Sequence, residues 1–306
     1  MEQIKSLSSL LTHAQKVGPM KISVACAEDY EVMEAVESAR KLKIADAILV
    51  GNSDKINEVA KALNIDLSNY EVHDTREGEV ATALTAVEFV SSGKAQIVMK
   101  GMVTTANFLR AVLNKEKGLR SGKTLSHSYI HEVKGYDRLF FMTDPAFNMY
   151  PDLKVKAEIV KNAVELAHAF GIETPKVAAL AAVEVINPDM PATLDAANLT
   201  QMNHRGQIKG CLIDGPLALD NAISPESAKH KKIVSDVAGY ADILLAPNIE
   251  SANMMSKALI YFSENKTAGI VLGAAAPIVL TSRADTSEAK LLSIASAVAL
   301  VAHNKK

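Results

Sequence analysis

The stretch Gly273-Ala-Ala-Ala-Pro277-Ile-Val-Leu280-Thr281-Ser282-Arg283-Ala-Asp285-Thr-Ser-Glu288 predicts a strand, a turn and the start of a helix. Residues 277–280 form a short apolar run that is typical of a buried strand. Asp285, followed three positions later by Glu288, has the pattern of a helix N-cap with a capping box. Apolar residues then recur at helical spacing. This order of elements indicates an α/β fold.

Ser282 and Arg283 lie between that strand and that helix. In an open α/β sheet, ligands bind in the crevice at the carboxyl ends of the strands. A hydroxyl and a guanidinium therefore stand where an anionic ligand is expected. Taken alone, the stretch is better explained by helix capping and a solvated arginine than by an anion-binding site. Evidence for a binding site has to come from the rest of the chain.

The rest of the chain repeats this strand-then-helix order, which predicts mainly parallel sheets with right-handed crossovers. A break at residues 148–152 predicts a domain boundary there. Residues 225–237 are predicted as one helix, and Asp214-Gly-Pro as a tight turn. The length of 306 residues suits two domains.

The composition excludes several classes of protein. A net charge of −2 provides no broad basic surface for nucleic acid. No uncharged apolar run is long enough to span a membrane, so a soluble, cytoplasmic protein is expected. Cys26 and Cys211 lie in apolar runs and are expected to be small buried residues. No Cys/His spacing indicates a zinc site.

Three further segments carry polar residues at predicted strand ends. Thr104 or Thr105 is expected to open a helix that also bears Arg110, and a helix N-terminus is a natural phosphate site. Asp214 lies in the predicted turn, and Asn253 follows the strand that ends near Ala246. There is no Gly-x-Gly-x-x-Gly after the first strand, no P-loop and no Gly-x-Ser-x-Gly elbow. The residue types suit phosphate binding and charge stabilisation.

Taken together, three motifs resemble the phosphate acetyl/butyryltransferase family over nearly the whole chain. They are Asp214-Gly-Pro-Leu-Ala-Leu-Asp220-Asn221-Ala-Ile-Ser224, Ala241-Asp-Ile-Leu-Leu-Ala-Pro247-Asn-Ile-Glu-Ser-Ala-Asn253 and residues 277–290, and the Thr-Thr-x-x-x-x-Arg of residues 104–110 agrees with them. The modest length and the Ser-Arg-Ala-Asp form of the last motif resemble the phosphate butyryltransferase branch most.

The resemblance implies the reaction acyl-CoA + phosphate = acyl phosphate + CoA, by direct attack in a ternary complex. It implies two α/β/α domains of isocitrate/isopropylmalate dehydrogenase-like architecture, with the active site in a cleft between them. The second domain, residues 150–280, is inserted into the first, residues 1–149 with 281–306. Coenzyme A is then a substrate, and no metal is expected. A homo-oligomer, dimeric or larger, and an acyl-phosphate kinase as pathway partner are also implied.

The resemblance also suggests roles for individual residues. Arg283 and Arg110 would bind phosphate or the developing negative charge, and Ser282 would donate a hydrogen bond to the carbonyl oxygen or the thiolate. Thr104 and Thr105 would support the phosphate, while Asp214 and Asn253 would line the substrate site.

The identity of a general base stays open. The acetyl branch has an Asp seven residues after the serine, and this chain has Ala289 at that position. Asp285 and Glu288 are therefore the candidate catalytic carboxylates, although both also fit a capping box.

Three alternatives remain at this stage. The first is phosphate acetyltransferase, which has the same mechanism with a shorter acyl chain. The second is a dehydrogenase of the related architecture, disfavoured because no nicotinamide motif is present. The third is a non-catalytic CoA-binding module, disfavoured because a pure binder would not need Ser282, Arg283 and Arg110 together.

Overall fold

The computed structural model describes residues 2–282 and 284–305. Their packing divides the chain into two compact units. Among the described residues, the flanking unit comprises residues 7–123, 268–282 and 284–305, and the central unit comprises residues 2–6 and 124–267. Arg283, one of the predicted site residues, lies outside the described residues.

The flanking unit is built on a mainly parallel sheet whose strands lie in the order β3-β2-β1-β4-β11-β10. Only the β10–β11 pair is antiparallel. The strands are β1 (Met20–Ala25), β2 (Ala45–Gly51), β3 (Glu71–Asp74), β4 (Ile97–Lys100), β10 (Asn265–Leu272, of which residues 268–272 belong to this unit) and β11 (Ile278–Val279). Its helices are α1 (Leu7–Val17), α2 (Tyr30–Lys41), α3 (Ser53–Ala62), α4 (Glu79–Ser91), α5 (Thr105–Val112) and α11 (Ser287–Asn304), with a 3₁₀ turn at Leu67–Asn69.

The strands of the central unit lie in the order β5-β6-β9-β7-β8 and are also mainly parallel. Here only the β5–β6 pair is antiparallel. The strands are β5 (Ser126–Val133), β6 (Phe140–Thr143), β7 (Lys176–Leu180), β8 (Leu212–Leu217) and β9 (Ile243–Leu245). The helices are α6 (Leu153–Ala169), α7 (Pro191–His204), α8 (Leu219–Ile223), α9 (Pro225–His230) and α10 (Ile249–Phe262). The predicted α/β class with mainly parallel sheets is confirmed.

Helix α11 forms the core of the flanking unit. It packs against α1 and α2, and every residue from Ala289 to Val301 is buried. A helix that is apolar around its whole circumference must be buried on all sides. The stretch that begins at Gly273 therefore leads from a central strand of this sheet into the helix that fills its core. Both cysteines are buried, as predicted.

The boundaries of the two units differ from the predicted ones. The first lies between Lys123 and Thr124 instead of near residue 150, and the second between Thr267 and Ala268. The physical reason is strand pairing: β5 pairs with β6 and β6 with β9, whereas β11 pairs with β4. The predicted break at residues 148–152 contains Asp152, which caps α6.

Three local predictions are wrong. Asp285 does not cap α11, because the Thr286 side chain accepts the hydrogen bond from Ala289 N. Asp214-Gly-Pro is not a turn between elements but part of β8, where its register against β7 shifts. The helix predicted over residues 225–237 ends at His230. No helix of the described ranges is long and apolar enough to cross a membrane.

Candidate active site

Sheet topology in the flanking unit brings two of the predicted segments to one edge. Strands β4 and β11 are parallel neighbours, with Ile278 opposite Val98 and Val279 opposite Met99. Their carboxyl ends therefore meet, and the loop that holds Ser282 begins beside the loop that leads into α5. Ligands bind at this edge in open parallel sheets.

The loop after β11 is fixed by Asp285 and Lys290. The Asp285 carboxylate accepts a hydrogen bond of 2.7 Å from Ser282 N. Lys290, which is 2% exposed, donates its ammonium protons to the backbone carbonyls of Asp285 and Ser282. The Ser282 hydroxyl accepts from Ala284 N at 3.4 Å, which leaves its own proton available for a substrate oxygen or sulfur.

The two candidate carboxylates have different surroundings. Asp285 is partly buried and bound to the Ser282 amide, whereas Glu288 lies exposed in the first turn of α11. The geometry gives Asp285 a positioning contact. Its role as a base, and that of Glu288, stay predictions.

Helix α5 begins as predicted. Thr104 is its N-cap, with Asn107 N donating to the threonine oxygen at 3.3 Å, and Thr105 is its first residue. Arg110 is exposed near the end of the helix. A carboxylate already occupies part of the predicted phosphate position: Glu79 Oε2 accepts from Thr104 N at 3.1 Å and from Asn107 Nδ2 at 3.0 Å.

Sequence reasoning missed Glu79 because it opens a different helix, α4. A carboxylate near the start of α5 is stabilised by the helix dipole in the same way as a phosphate would be. A phosphate bound at this helix end would therefore compete with Glu79.

A polar pocket of about 410 Å³ adjoins this edge in the flanking unit. Its wall residues follow the carboxyl ends of β1, β2, β3 and β4, and include Cys26, Glu28, Thr75, Arg76, Glu79 and Met102. Burial, with the neighbouring Glu28 and Glu79 carboxylates, raises the pKa of the Cys26 thiol to about 12. Cys26 is therefore a neutral thiol at pH 7 and is not an activated nucleophile.

In the central unit, the two predicted residues lie on different elements. Asp214 is in the body of the edge strand β8, where its carboxylate accepts from Gly215 N at 2.8 Å. Asn253 lies on α10, and its side-chain amide donates to the backbone carbonyl of Pro145 at 3.0 Å. The topology does not bring Asp214 to the carboxyl edge, whereas Asn253 contacts the loop that follows β6.

That loop is organised by Asp144, a residue that the sequence reasoning did not single out. Asp144 is 4% exposed and accepts hydrogen bonds from the backbone N–H groups of Ala146, Phe147 and Asn148. The Asn148 side chain donates to it as well. Burial raises the pKa of this carboxyl above its usual range. Its signal in the sequence is only the Asx-type pattern Asp144-Pro-Ala-Phe-Asn148, which also occurs in ordinary loops.

No group of three or more His, Cys, Asp or Glu side chains that could hold a metal ion occurs within residues 2–282 and 284–305. The expected absence of a metal stays a prediction.

Comparison with known proteins supports the motif assignment. The family model described as phosphate acetyl/butaryl transferase matches residues 6–84 and 79–298. A protein named phosphate butyryltransferase from Clostridium beijerinckii is 53% identical over 98% of this chain and 99% of its own. Its namesake from Clostridium acetobutylicum is 55% identical over 99% and 100%.

A solved structure agrees with these relatives. The branched-chain phosphotransacylase from Enterococcus faecalis has 33% sequence identity and a TM-score of 0.82, covering 92% of this chain and 99% of its own. A family model that spans most of the sequence, and relatives above half identity along their full length, confirm the family predicted from the motifs. The chain belongs to the phosphate acetyl/butaryl transferase family and is thus a phosphate acyltransferase.

Proposed function

We propose that the protein transfers a butyryl group between coenzyme A and inorganic phosphate, butyryl-CoA + phosphate = butyryl phosphate + CoA. The observation that carries this proposal is the 53% identity to the phosphate butyryltransferase of Clostridium beijerinckii over 98% of the chain. The flanking edge offers hydroxyl and cationic groups suited to two anionic reactants.

In this reaction a phosphate oxygen attacks the thioester carbonyl carbon and forms a tetrahedral intermediate. The C–S bond then breaks, and the thiolate leaves and takes up a proton. The second pKa of a phosphate group is about 6, so phosphate is largely a dianion at pH 7. A free thiol has a pKa of about 8.5, so the thiolate is a moderate leaving group. Placement and charge stabilisation therefore matter more than a strong base.

The residue roles follow from this chemistry. Ser282 donates its free hydroxyl proton to the carbonyl oxygen or the thiolate, and Arg283 and Arg110 bind the phosphate. Thr104 and Thr105 support that anion at the start of α5. Asp285 acts by holding the Ser282 amide at 2.7 Å.

Residues of the central unit complete the proposal. Asn253 supports the wall of the substrate site through its contact with the loop after β6. Asp214 and Glu288 stay predicted site residues.

A second candidate is transfer of an acetyl group by the same mechanism. The phosphate acetyltransferase of Thermotoga maritima is 42% identical over 90% of this chain. The higher identity to the butyryltransferases favours the longer acyl chain.

Release of thiol from butyryl-CoA and acetyl-CoA, with and without phosphate, tests both candidates. We expect phosphate-dependent release that is faster with butyryl-CoA. Preference for acetyl-CoA would replace the substrate and keep the mechanism. Release without phosphate would indicate a thioesterase, and no release from folded protein would leave a CoA-binding module.

Cytoplasmic location, a dimer or larger homo-oligomer, and an acyl-phosphate kinase that consumes the product are further parts of the proposal. The product is a reactive mixed anhydride, which suits immediate use by a kinase. Light scattering of the purified chain measures the oligomer, and a mass equal to one chain would contradict it.

A further inference from the structure

A pocket of about 470 Å³ lies at the carboxyl edge of the central sheet. Ala181 and Ala182, which follow β7, and Pro247, which follows β9, form part of its wall. Met190 and Ala192, at the start of α7, form another part. These side chains are alkyl groups, so the wall is mainly apolar. Most ligand pockets have this character, with a few polar groups to fix orientation.

The charged groups of this wall form an ion pair. Lys156 Nζ lies 2.6 Å from Asp195 Oδ2, and the two side chains are 6% and 25% exposed. The Asp195 carboxylate compensates the charge of this deeply buried lysine. Because its charge is already neutralised, Lys156 adds little attraction for an anion, and the pocket suits an uncharged group.

The ion pair also limits the depth of the pocket. Lys156, Ala192, Asp195 and Pro247 line both this pocket and a much smaller void of about 10 Å³. Such a void has room for one water at most. An alkyl chain that entered the pocket would therefore stop against the ion pair, because displacing it would leave buried charges unpaired.

We propose that this pocket, here called the acyl pocket, receives the acyl group of the thioester and sets its length. The inference rests on the proposed function. Among the parts of acyl-CoA, the nucleotide is charged and the pantetheine arm carries amides, so the acyl group is the only wholly apolar part. Pro247 and Asn248 of the pocket wall belong to the motif that ends at Asn253.

Filling the acyl pocket tests the assignment. Ala192→Leu adds a branched alkyl group to its wall, while Ala197→Leu makes the same change on the same helix at a position that does not line it. With Ala192→Leu we expect kcat/KM for butyryl-CoA to fall about tenfold or more, since methylene-sized changes in a pocket shift selectivity by roughly 10–200-fold. The value for acetyl-CoA should change less than about threefold.

Met190→Ala provides the opposite change and stays informative if Ala192→Leu does not fold. It enlarges the acyl pocket, so kcat/KM for hexanoyl-CoA should rise relative to butyryl-CoA. An unchanged chain-length profile in both variants would overturn the assignment. An equal loss with every acyl-CoA would also overturn it, because that result would place the pantetheine arm in the pocket.

The wild-type protein separates this inference from the proposed function. If the wild type shows no phosphate-dependent release with any acyl-CoA, the proposed function fails. If the wild type is active and Ala192→Leu behaves like Ala197→Leu, only the acyl pocket fails.

Discussion

The carboxyl ends of the strands differ in chemistry between the flanking unit and the central unit, although the strands of both units are mainly parallel. The flanking edge carries hydroxyls, carboxylates and cations, among them Ser282, Thr104, Glu79 and the buried Lys100. The central edge carries a mainly apolar wall and the neutralised pair Lys156–Asp195. One fold class can therefore supply two kinds of surface, because the side chains at a carboxyl edge come from the loops after the strands and not from the strands themselves.

Under our proposals, the two edges have separate tasks. Charged reactants need hydrogen-bond donors and cations, which the flanking edge provides. An apolar acyl group gains from removal of its surface from water, which the central edge provides. The following predictions test this division, beginning with the largest effect.

Arg283→Ala tests whether this arginine binds phosphate or stabilises the negative charge that develops during the reaction. We expect kcat to fall about 10²–10³-fold, because that is the usual cost of removing one group that stabilises the transition-state charge. Steady-state kinetics with butyryl-CoA and phosphate measure it. Arg205→Ala, a change at an exposed arginine after α7, is the control. A near-normal rate in Arg283→Ala would remove this residue from the mechanism.

Lys156→Met tests whether the central edge depends on its ion pair. Breaking a buried pair leaves an uncompensated charge, so the free energy of unfolding should fall by about 3 kcal/mol. Urea denaturation measures this change. Lys161→Met on the same helix removes the exposed pair with Glu158 and should cost less than about 1 kcal/mol. An equal loss of unfolding free energy in the two variants would mean that the Lys156–Asp195 pair is effectively solvated.

His131→Gln tests the response of the central unit to acid. Burial lowers the pKa of His131 from 6.5 to about 4. Between these values the unfolded chain binds a proton that the folded chain does not, so stability falls as the pH drops through this range. The loss should total about 3 kcal/mol. Glu37 in the flanking unit has its pKa lowered from 4.5 to about 2, mainly by Arg40, so its contribution is lost only below pH 4.5.

Unfolding free energies between pH 7 and pH 4.5 measure this effect. The glutamine side chain that the substitution introduces does not titrate, so the variant should lose most of the pH dependence whatever its stability at pH 7. Hydrogen exchange resolved by peptide should show the central unit opening first. A pH slope equal to that of the wild type would contradict the role of His131.

Asp285→Asn is expected to have the smallest effect. Its amide oxygen can still accept from Ser282 N, so a positioning role predicts a loss of kcat below about tenfold and an unchanged pH profile. A general base would instead cost about 10²–10⁴-fold and remove one limb of the profile. Asp285→Ala, which has no acceptor, should be slower than Asp285→Asn.

Local sequence patterns predicted much of the fold. Strand β11 lies within the run predicted over residues 277–280, a helix follows it, and Thr104 caps α5 as expected. Such features depend on neighbours a few residues apart, so the sequence alone determines them. The ordered motifs likewise identified the family, because their order along the chain does not depend on any contact.

Tertiary structure decided which side chains meet. Glu79 reaches Thr104 across 25 residues, and Lys156 pairs with Asp195 across 39. Asp285 shows the same effect between residues that are close in sequence. Its sequence pattern predicts a helix cap, but Thr286 caps α11 and the Asp285 carboxylate accepts a hydrogen bond from Ser282 N. A pattern specifies what a side chain can bind, and only the folded chain decides which of the available partners lies within hydrogen-bonding distance.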